Sequence, residues 1–405
     1  MNRLEELASK IGSGATPTGG KDAYLGGNVS LIRSMNVRDM EFDYSGLAYI
    51  SNEQARKLDS VTVQAGDVLF NITGDSIARC CVVPEDVIPA RVNQHVAIIR
   101  PADGVDGDYL CYYLQYLKAY LLNLCKVGGT RNALTKEALE GLVIDYPVDA
   151  AKRTAVLHAL DDKIALNKKM IAELEKTARL IYDYWFMQFD FPDENGKPYR
   201  SSGGKMVYNE TLKREIPAGW EAGTLGDLGS YGDCSIDNSM LGSDGYVSTD
   251  NMLSNRGGIV DSQYLPETGI STRFDARDIL LSNIRPYFKK IWLADRTGGC
   301  CNDVLVIHPD DESVWAYLYW TVENDAFFAY DVSGAKGSKM PRGDRDHIMR
   351  YPVAIPPLQL LTGFTKRASS MTDTVSKLRN ESRRLSALRD WLLPMLMNGQ
   401  VTVGA

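Results

Sequence analysis

The chain repeats one ordered series of segments, and this repeat constrains its fold more than any other feature. β-branched and apolar runs bounded by Gly, Pro and Asp are typical of strands. Three such runs occur in each half, at residues 67–72, 78–83 and 95–99 and again at residues 278–284, 290–294 and 304–307. The match lies in pattern and not in residue identity. It predicts two halves that share a set of strands.

The later part of each half repeats as well. A helix-like segment follows the strands, and after it come a glycine-rich loop and a short strand that ends in Tyr-Pro. These segments are 109–114, 128–132 and Tyr146-Pro147 in the first half, and 314–319, 333–337 and Tyr351-Pro352 in the second. Chance explains any single pair of short apolar runs but not the whole ordered series. The predicted fold class is therefore α+β, with two similar globular α/β domains.

A long helix is predicted after each half, because apolar residues recur there at alternating spacings of three and four. The first seam is Leu157, Leu160, Ile164, Asn167, Ile171, Leu174, Ala178, Ile181 and Trp185. The second seam is Leu361, Phe364, Ala368, Met371, Val375, Leu378, Ser382, Leu385 and Leu392. Arg389 falls on the second seam and weakens its end. Residues 162–164 match residues 373–375 in sequence pattern. The separation is the same as that between Asp67 and Asp278, so the helices belong to the same duplication.

Each narrow apolar seam needs a partner. The other long helix of the same chain is the simplest partner, and we expect the two helices to form an antiparallel coiled coil. The first seam would run about 42 Å at roughly 1.5 Å per residue, with the two halves at opposite ends. Asn167 within the seam would fix the register at some cost in stability. The alternative is that each helix packs on its own domain, as amphipathic helices usually do.

These patterns give the predicted domain boundaries. Residues 191–220 are predicted to form a connector, because turn-forming residues dominate and the apolar residues show no periodicity. The predicted order is a first recognition-type domain at 1–150, a long helix at 151–190, the connector at 191–220, a second domain at 221–356, a second long helix at 357–397 and a tail at 398–405.

Composition excludes several classes of protein. The chain has 405 residues, of which 44% are hydrophobic and 24% charged, as in ordinary globular proteins. It lacks both an apolar run long enough to span a membrane and an apolar signal core, so we expect a cytoplasmic protein. The seven cysteines include no C-x-x-C, which favours buried, reduced thiols over a zinc site. The net charge of −7 argues against a free-standing basic nucleic-acid binder but allows local basic faces.

No catalytic or metal-binding set of residues can be identified. Acidic residues 193–194 with Lys197 suggest a metal nuclease, but they are too close together to lie on successive strands. A phosphate-loop-like stretch has Ala15 in place of its first glycine and Asp22 in place of the Ser or Thr that holds magnesium. Residues 283–287 have only one proline of the Asn-Pro-Pro-Tyr loop of amino-methyltransferases. Four scattered histidines form no nucleophile–histidine set. The chain is interpreted as a scaffold or binding protein.

Two binding modules at a fixed separation suit duplex DNA, whose grooves repeat every 34–36 Å or so. Polar and basic loop residues are the candidate DNA contacts, because Arg and Lys suit guanine edges or phosphates and Asn and Gln suit adenine edges. In the first half these are Lys21, Arg33, Asn36, Arg79, Gln94, Arg131 and Asn132. In the second half they are Asn251, Arg256, Asn283, Arg285, Lys289, Lys336, Lys339 and Arg342. A solvated surface role is the alternative for each of them.

Over nearly its full length the chain resembles the specificity subunit of type I restriction–modification enzymes. The resemblance is most specific in Leu160-Asp161-Asp162-Lys163-Ile164-Ala165-Leu166-Asn167-Lys168-Lys169 and continues at residues 184–186 and 189–191. Residues 194–199, 201–204 and 214–221 are similar to the family's connector, and residues 388–394 and 398–400 to its carboxyl end. Residues 12–17 are similar to the loop that opens a recognition domain, a loop that the second domain lacks at residues 229–233.

The resemblance implies a non-catalytic DNA reader. Each recognition domain would contact one half of a split, asymmetric target, and the coiled coil would set the gap between the halves. Two modification subunits would dock along the helices and carry the S-adenosylmethionine chemistry. Restriction subunits would add an ATP-driven nuclease that uses magnesium. The resemblance implies no cofactor and no metal in this chain, and it gives no residue-level code for the target bases.

Two other functions compete with this interpretation. The first is a stand-alone DNA-modifying enzyme, against which the absence of a readable cofactor loop argues. The second is a coiled-coil adaptor that binds protein partners and has no DNA specificity. Methylation or cleavage by the purified chain would support the first. Partner binding without any sequence preference on DNA would support the second.

Overall fold

The chain divides into two units in the computed structural model, which describes residues 1–19, 24, 26–126 and 133–403. The first unit comprises Met1–Leu166 and Glu381–Ala405, and the second unit comprises Asn167–Asn380. Each of the two long helices therefore contributes one part to the first unit and one part to the second.

The first unit consists of β1 (Asn2–Arg3), α1 (Leu4–Leu7), β2 (Ala8–Ser13), β3 (Val29–Ile32), β4 (Ala48–Ile50), α2 (Asn52–Lys57), β5 (Val68–Asn71), β6 (Cys80–Val82), β7 (Ala90–Val92), β8 (Val96–Pro101), α3 (Gly107–Tyr116), α4 (Lys118–Lys126), α5 (Lys136–Glu140) and β9 (Val143–Ile144). It contains a four-stranded antiparallel sheet in the order β2-β8-β5-β6 and a smaller sheet in the order β4-β3-β7, in which β3 and β7 run parallel.

Both faces of the four-stranded sheet are covered, which explains why its strands are continuous apolar runs. Successive side chains of a strand point to opposite faces. Along β5, Val68 and Phe70 share a core with Tyr109 of α3. Between them, Leu69 shares a second core with Leu31 of the smaller sheet. A strand that is covered on both faces needs an apolar residue at every position, and residues 68–70 meet that need.

The second unit follows the first long helix, α6 (Ala150–Tyr182), and ends with the second, α10 (Leu358–Met397). Between them lie β10 (Met206–Asn209), β11 (Arg214–Pro217), β12 (Glu221–Thr224), β13 (Gly229–Tyr231), β14 (Ser235–Asp237), β15 (Tyr246–Val247), β16 (Ile270–Phe274), β17 (Ile279–Ser282), β18 (Ile291–Leu293), β19 (Gly298–Cys300), β20 (Val304–Pro309), α7 (Trp315–Glu323), α8 (Asp325–Gly334), α9 (Arg345–Met349) and β21 (Pro352–Ile355).

The second unit repeats the plan of the first. Its main sheet has the order β13-β20-β17-β18, and β15 pairs with β19 in parallel as β3 pairs with β7. Ile279 and Leu281 share a core with Trp315 of α7, whereas Leu280 shares the other core with Val247 of β15. The predicted α+β class and the duplicated set of strands are confirmed.

A buried aspartate stands at the same place in both units. The Asp67 carboxylate accepts hydrogen bonds from the backbone N–H of Gln64 at 2.7 Å and from the Arg100 guanidinium at 2.8 and 2.9 Å. In the second unit, the Asp278 carboxylate accepts a hydrogen bond from the backbone N–H of Asp275 at 2.7 Å and lies 2.6 Å from Nδ1 of His308. The duplication therefore includes the turn that precedes the central strand.

In the first unit, the beginning of α6 packs against the end of α10. Leu157 shares the first unit's core with Leu396 and Met397, and the Arg153 guanidinium donates a hydrogen bond to the Leu396 carbonyl oxygen. One turn or more further along, Arg389 and Asp161 form an ion pair of 2.7 Å. Contacts that advance along α6 and retreat along α10 indicate an antiparallel pair. The ion pair also satisfies the charge of Arg389 within the seam.

In the second unit, the end of α6 packs against the beginning of α10. Glu175 and Arg379 form an ion pair of 2.6 Å, and the rings of Trp185 and Phe364 lie 5.9 Å apart. The two helices are antiparallel here as well. Every predicted seam residue of both helices is buried or half-buried, including Asn167, which is fully buried. Residues of both helices also belong to the hydrophobic core of each unit, so the helices pack on the domains as well as on each other.

Some predicted boundaries are wrong. The second Tyr-Pro does not end a strand, because β21 begins at Pro352, a position at which proline is tolerated. Residues 333–334, predicted as loop, form the end of α8. Regular α-helix ends at Tyr182, and a wider π-helical segment at Asp183–Met187 continues it, short of the predicted end at residue 190. The predicted connector contains a hairpin of β10 and β11, whose four residue pairs hold a segment without apolar periodicity.

Candidate nucleic-acid interface

A turn between β17 and β18 gathers most of the candidate residues of the second half. We call it the second turn, residues 283–290, because it belongs to the second unit. It is hydrogen-bonded on both sides to other segments of that unit. The backbone N–H of Arg256 donates to the Lys289 carbonyl oxygen at 2.9 Å, and the N–H of Arg285 donates to the Pro341 carbonyl oxygen at 2.7 Å. Ile284 and Arg342 form a β-bridge. Loops that are distant in sequence therefore meet at one surface.

This surface carries six basic residues, and we call it the basic surface. Its residues are Arg256, Arg285, Lys289, Lys336, Lys339 and Arg342. All six were predicted from the sequence as candidate DNA contacts, although 86 residues separate the first from the last in the chain. Lys290, which also lies in the second turn, was missed, as were the two aromatic residues beside it, Tyr287 and Phe288.

Carboxylates neutralise part of this positive charge. Lys289 and Arg256 both donate hydrogen bonds to Asp325, and these bonds lower the pKa of that carboxyl to about 2. Lys336 pairs with Asp344, and Arg342 pairs with Asp303 at 3.0 Å. Among the described residues, the side chains of Arg285 and Lys339 have no carboxylate partner. They are therefore the cations most ready to meet a phosphate.

Asn283 lies beneath this surface and shares its site with a buried acid. Oδ1 of Asn283 and Oδ1 of Asp331 are both buried without a hydrogen-bond partner in the described structure. A methyl group on Gly343 would come within 2.6 Å of the Asp331 oxygen and 3.0 Å of the Asn283 oxygen, so the two oxygens lie close to each other. Removal from water raises the pKa of Asp331 to about 7.

We expect Asp331→Asn to stabilise the chain at pH 8 by about 1–3 kcal/mol, because a buried, unpaired carboxylate is replaced by a neutral amide. With a pKa raised in the folded state, the Asp331 carboxyl contributes stability below about pH 4 that is lost as pH rises through about 7. The variant should therefore match the parent near pH 4 and exceed it at pH 8. Urea unfolding at both pH values measures the difference, and an equal gap at both would contradict the prediction.

Two predicted DNA contacts are structural residues instead. Asn36 accepts a hydrogen bond from the backbone N–H of Arg33 at 3.0 Å and donates one to the Asp43 carbonyl oxygen at 2.8 Å. Asn251 accepts one from the N–H of Ser248 at 2.7 Å and donates to carbonyl oxygens that include that of Val260. Both side chains are buried, so the expectation that they lie on the surface is wrong. Each one holds the loop after the equivalent parallel strand, β3 or β15.

The first unit has a corresponding turn between β5 and β6, which we call the first turn, residues 72–79. A cleft on its surface is lined by Ser34, Met35, Arg38, Thr73, Gly74, Asp75, Ser76, Arg79 and His95. Among the described residues, the Arg79 guanidinium has no ion-pair partner. Arg38 is bonded to Asp43 at 3.0 Å. Arg79 is predictable from the sequence, whereas Arg38 and His95 reach this cleft only through the folding of the chain.

The remaining candidate residues of the first half differ in their surroundings. The Arg33 guanidinium donates to the Gly46 carbonyl oxygen and lies 6.0 Å from the ring centre of Tyr24. Gln94 is exposed and lies 3.1 Å from Nε2 of His95, beside the cleft. Lys21, Arg131 and Asn132 lie outside the described residues.

Within the described ranges, no group of His, Cys, Asp and Glu side chains is placed to hold a metal ion. The same residues include no helix with the length and apolar character that crossing a membrane requires. All seven cysteines are free thiols, and five of them are buried. Burial raises the pKa of Cys300 to about 12, which leaves that thiol unreactive at neutral pH.

Comparison with known proteins identifies relatives. Residues 1–176 match the family model of the type I restriction modification DNA specificity domain. The specificity subunit of the type I restriction enzyme MjaIX from Methanocaldococcus jannaschii is 30% identical over 235 residues, or 56% of this chain and 51% of that subunit. The chain thus aligns with about half the length of this relative. The HindI specificity subunit of Haemophilus influenzae is 21% identical over 92% of this chain and 94% of that subunit.

The fold also has a counterpart among solved structures. The S subunit of the type I restriction–modification system of M. genitalium superposes with a TM-score of 0.55 at 13% identity, covering 98% of this chain and 95% of that one. At this identity the likeness concerns the fold alone. Residues 1–176 thus match the type I restriction modification DNA specificity domain, and the chain as a whole is similar to type I restriction–modification specificity subunits.

Proposed function

We propose that this chain reads a DNA sequence in two parts, one with each unit, for a type I restriction–modification complex. The observation that carries the proposal is the duplication. Both units use the same order of strands, and the equivalent turn between the third and fourth strands of the main sheet carries Arg79 in the first unit and Arg285, Lys289 and Lys290 in the second. Two readers that differ in sequence fit a target whose two halves differ.

The proposal assigns no chemistry to this chain. Two modification subunits would bring S-adenosylmethionine, and restriction subunits would bring ATP-dependent cleavage with magnesium. The chain would work beside them in the cytoplasm and would scaffold the complex through its long helices. Two basic residues that have no carboxylate partner among the described residues, Arg285 and Lys339, support contact with a polyanion such as duplex DNA.

Sequencing of methylated sites in cells with and without this chain tests the proposal. We expect a split sequence to be methylated only when the chain is present together with its modification partner. Methylation by the purified chain alone would instead favour a stand-alone enzyme. Binding of the modification subunit with no sequence preference on DNA would favour an adaptor. Either result would overturn the proposal.

Lys339→Ala should weaken binding to target and non-target duplexes alike, because an exposed lysine that has no carboxylate partner in the described part of the chain is suited to a phosphate and not to a base edge. The slope of log K against log salt concentration is negative, and we expect its magnitude to decrease by about 0.9. Lys213→Ala, at an exposed lysine of the β10–β11 hairpin that pairs with Glu210, is the control and should leave the slope unchanged. A loss confined to the target sequence would show that Lys339 reads bases.

The long helices are proposed to set the gap between the two halves of the target. Inserting one heptad after Lys169 and another after Arg383 keeps both seams in phase and lengthens each helix by about 10 Å. We expect the gap to grow by about three base pairs, at roughly 3.4 Å each. Methylated-site sequencing measures the gap. An insertion in one helix only should instead disrupt the seam and abolish methylation, and an unchanged gap after the double insertion would refute the spacer role.

A further inference from the structure

The first and second turns have the same length and the same backbone conformation. Both connect antiparallel strands, and the pairs Phe70–Cys80 and Leu281–Ile291 flank them. In the first turn the N–H of Ile77 donates to the Gly74 carbonyl oxygen at 3.2 Å. In the second, the N–H of Phe288 donates to the Arg285 carbonyl oxygen at 2.9 Å. Each of these residues lies 211 positions from its equivalent, the separation of the whole duplication.

Two positions of each turn have a positive φ. In the first turn these are Gly74, at 75°, and Ala78, at 64°. The equivalent residues of the second turn are Arg285 and Lys289, both at 51°. A left-handed conformation costs about 1–2 kcal/mol for a residue other than glycine. The second turn therefore keeps two long cationic side chains at positions where glycine would be more stable.

Both turns are also anchored in the same way. Thr73 forms a β-bridge with Ala133, and Ile284 forms one with Arg342. The next residue along the chain extends each anchor, since the N–H of Leu134 donates to the Ile72 carbonyl oxygen at 2.9 Å and the N–H of Gly343 donates to that of Asn283 at 3.0 Å. A turn that is closed by a strand pair and bonded to another loop at its beginning presents its side chains in a fixed direction.

The tips of the two turns differ in chemistry. Where the first turn has Ser76 and a buried Ile77, the second has Tyr287 and Phe288, which are 48% and 37% exposed. The two aromatic rings pack edge to face with centres 4.8 Å apart. The Arg285 guanidinium and the Lys290 ammonium each lie 6.0 Å from the centre of the Phe288 ring. A supported aromatic pair thus projects from a basic surface.

We propose that the two turns are equivalent DNA-reading elements, and that the second reads its half-site through an aromatic wedge in which Tyr287, backed by Phe288, packs into a base-pair step while Arg285 holds an adjacent phosphate. The first turn, with Ser76 and Arg79, reads its half-site by hydrogen bonding alone. This proposal rests on the proposed function. Aromatic and apolar wedges of this kind partly unstack a step, and flexible pyrimidine–purine steps yield most easily.

Tyr287→Ala tests the wedge in the chain assembled with its modification subunits. The probe is a duplex that carries the methylated sequence found by sequencing, with 2-aminopurine replacing in turn each purine of the half that the second unit reads. We expect the variant to bind at least 10-fold more weakly, since loss of one aromatic–base contact has effects of this size. We also expect 2-aminopurine at one step to brighten with the parent chain and not with the variant. Tyr287→Phe should keep both properties, and Tyr264→Ala, at another exposed tyrosine of the same unit, should change neither.

Arg285→Gly separates a DNA role from a structural one. Glycine relieves the strain of the positive φ, so the variant should unfold at a higher temperature than the parent while binding the probe several-fold more weakly. A residue kept for structural reasons alone would not give this combination, and unchanged binding would overturn its assignment to a phosphate.

The outcomes distinguish this proposal from the one on which it rests. If Tyr287→Ala binds within twofold of the parent, or if no 2-aminopurine position brightens with the parent, the wedge is refuted while the DNA-reading role stands. If the modification subunit binds Tyr287→Ala more weakly and the DNA affinity is unchanged, the aromatic pair is a protein contact and the wedge is refuted again. A parent complex without any sequence preference would refute the proposed function itself.

Discussion

Replacing residues 1–150 by the same region of a type I specificity subunit is expected to change one half of the methylated target and to leave the other half as it was. One of the first unit's two cores is closed by residues of that region together with the beginning of α6 and the end of α10, and the other is formed by residues of that region alone. A replacement from the same family should therefore fold on the same helices. The reciprocal replacement of residues 221–356 should change only the other half, and it also assigns one half-site to each unit.

The expected effect is large. Each mismatched base pair costs about 1–3 kcal/mol, so three altered positions reduce affinity for the original target by at least about 100-fold. Methylated-site sequencing gives the new sequence directly, and competition between old and new duplexes gives the ratio. If one exchange altered both halves, or if neither did, the assignment of one half-site to each unit would be wrong. Loss of all methylation would be separated from a change of target by measuring whether the modification subunits still bind.

Asp67→Ala is expected to destabilise the first unit by about 3–5 kcal/mol, because it leaves the charge of Arg100 half-buried without its partner. The substitution also removes the acceptor of the Gln64 N–H. Urea unfolding of the whole chain measures the loss. Hydrogen exchange resolved by peptide should locate it in β5 and β8, which the Asp67–Arg100 pair joins.

The duplication supplies the matched control. Asp278 is buried in the same way, but its partner His308 has a side chain that is 58% exposed and can return to water when the carboxylate is removed. Asp278→Ala should therefore cost less, about 1–2 kcal/mol, mainly for the lost acceptor of a backbone N–H. Equal costs for the two substitutions would show that the buried charge of Arg100 contributes nothing beyond the shared turn.

The features that could be predicted from sequence are those that repeat along the chain. The heptad seams identified both long helices because a helix returns the same face every three or four residues, and every seam residue is buried or half-buried. The apolar runs at residues 68–70 and 279–281 identified the central strands, since a sheet covered on both faces requires them. The residues of the basic surface were also predicted, because charged side chains in loops keep at least part of their surface in contact with water.

The features that could not be predicted depend on contacts between segments that are distant in sequence. Asn36 and Asn251 looked like surface residues, and only the approach of carbonyl oxygens from later loops shows that they are buried hydrogen-bonding residues. The β10–β11 hairpin forms from a segment without periodicity because its two strands satisfy each other's backbone groups.

Local periodicity thus determined the elements and their duplication, since helices and strands need only their own residues to reveal a face. Tertiary packing decided which loops meet and which side chains remain free, because hydrogen bonds and burial depend on neighbours that no short stretch contains. The equivalent turns illustrate both: their 211-residue separation is visible in the sequence, whereas their shared positive φ angles, their common anchors and the exposure of Tyr287 exist only in the folded chain.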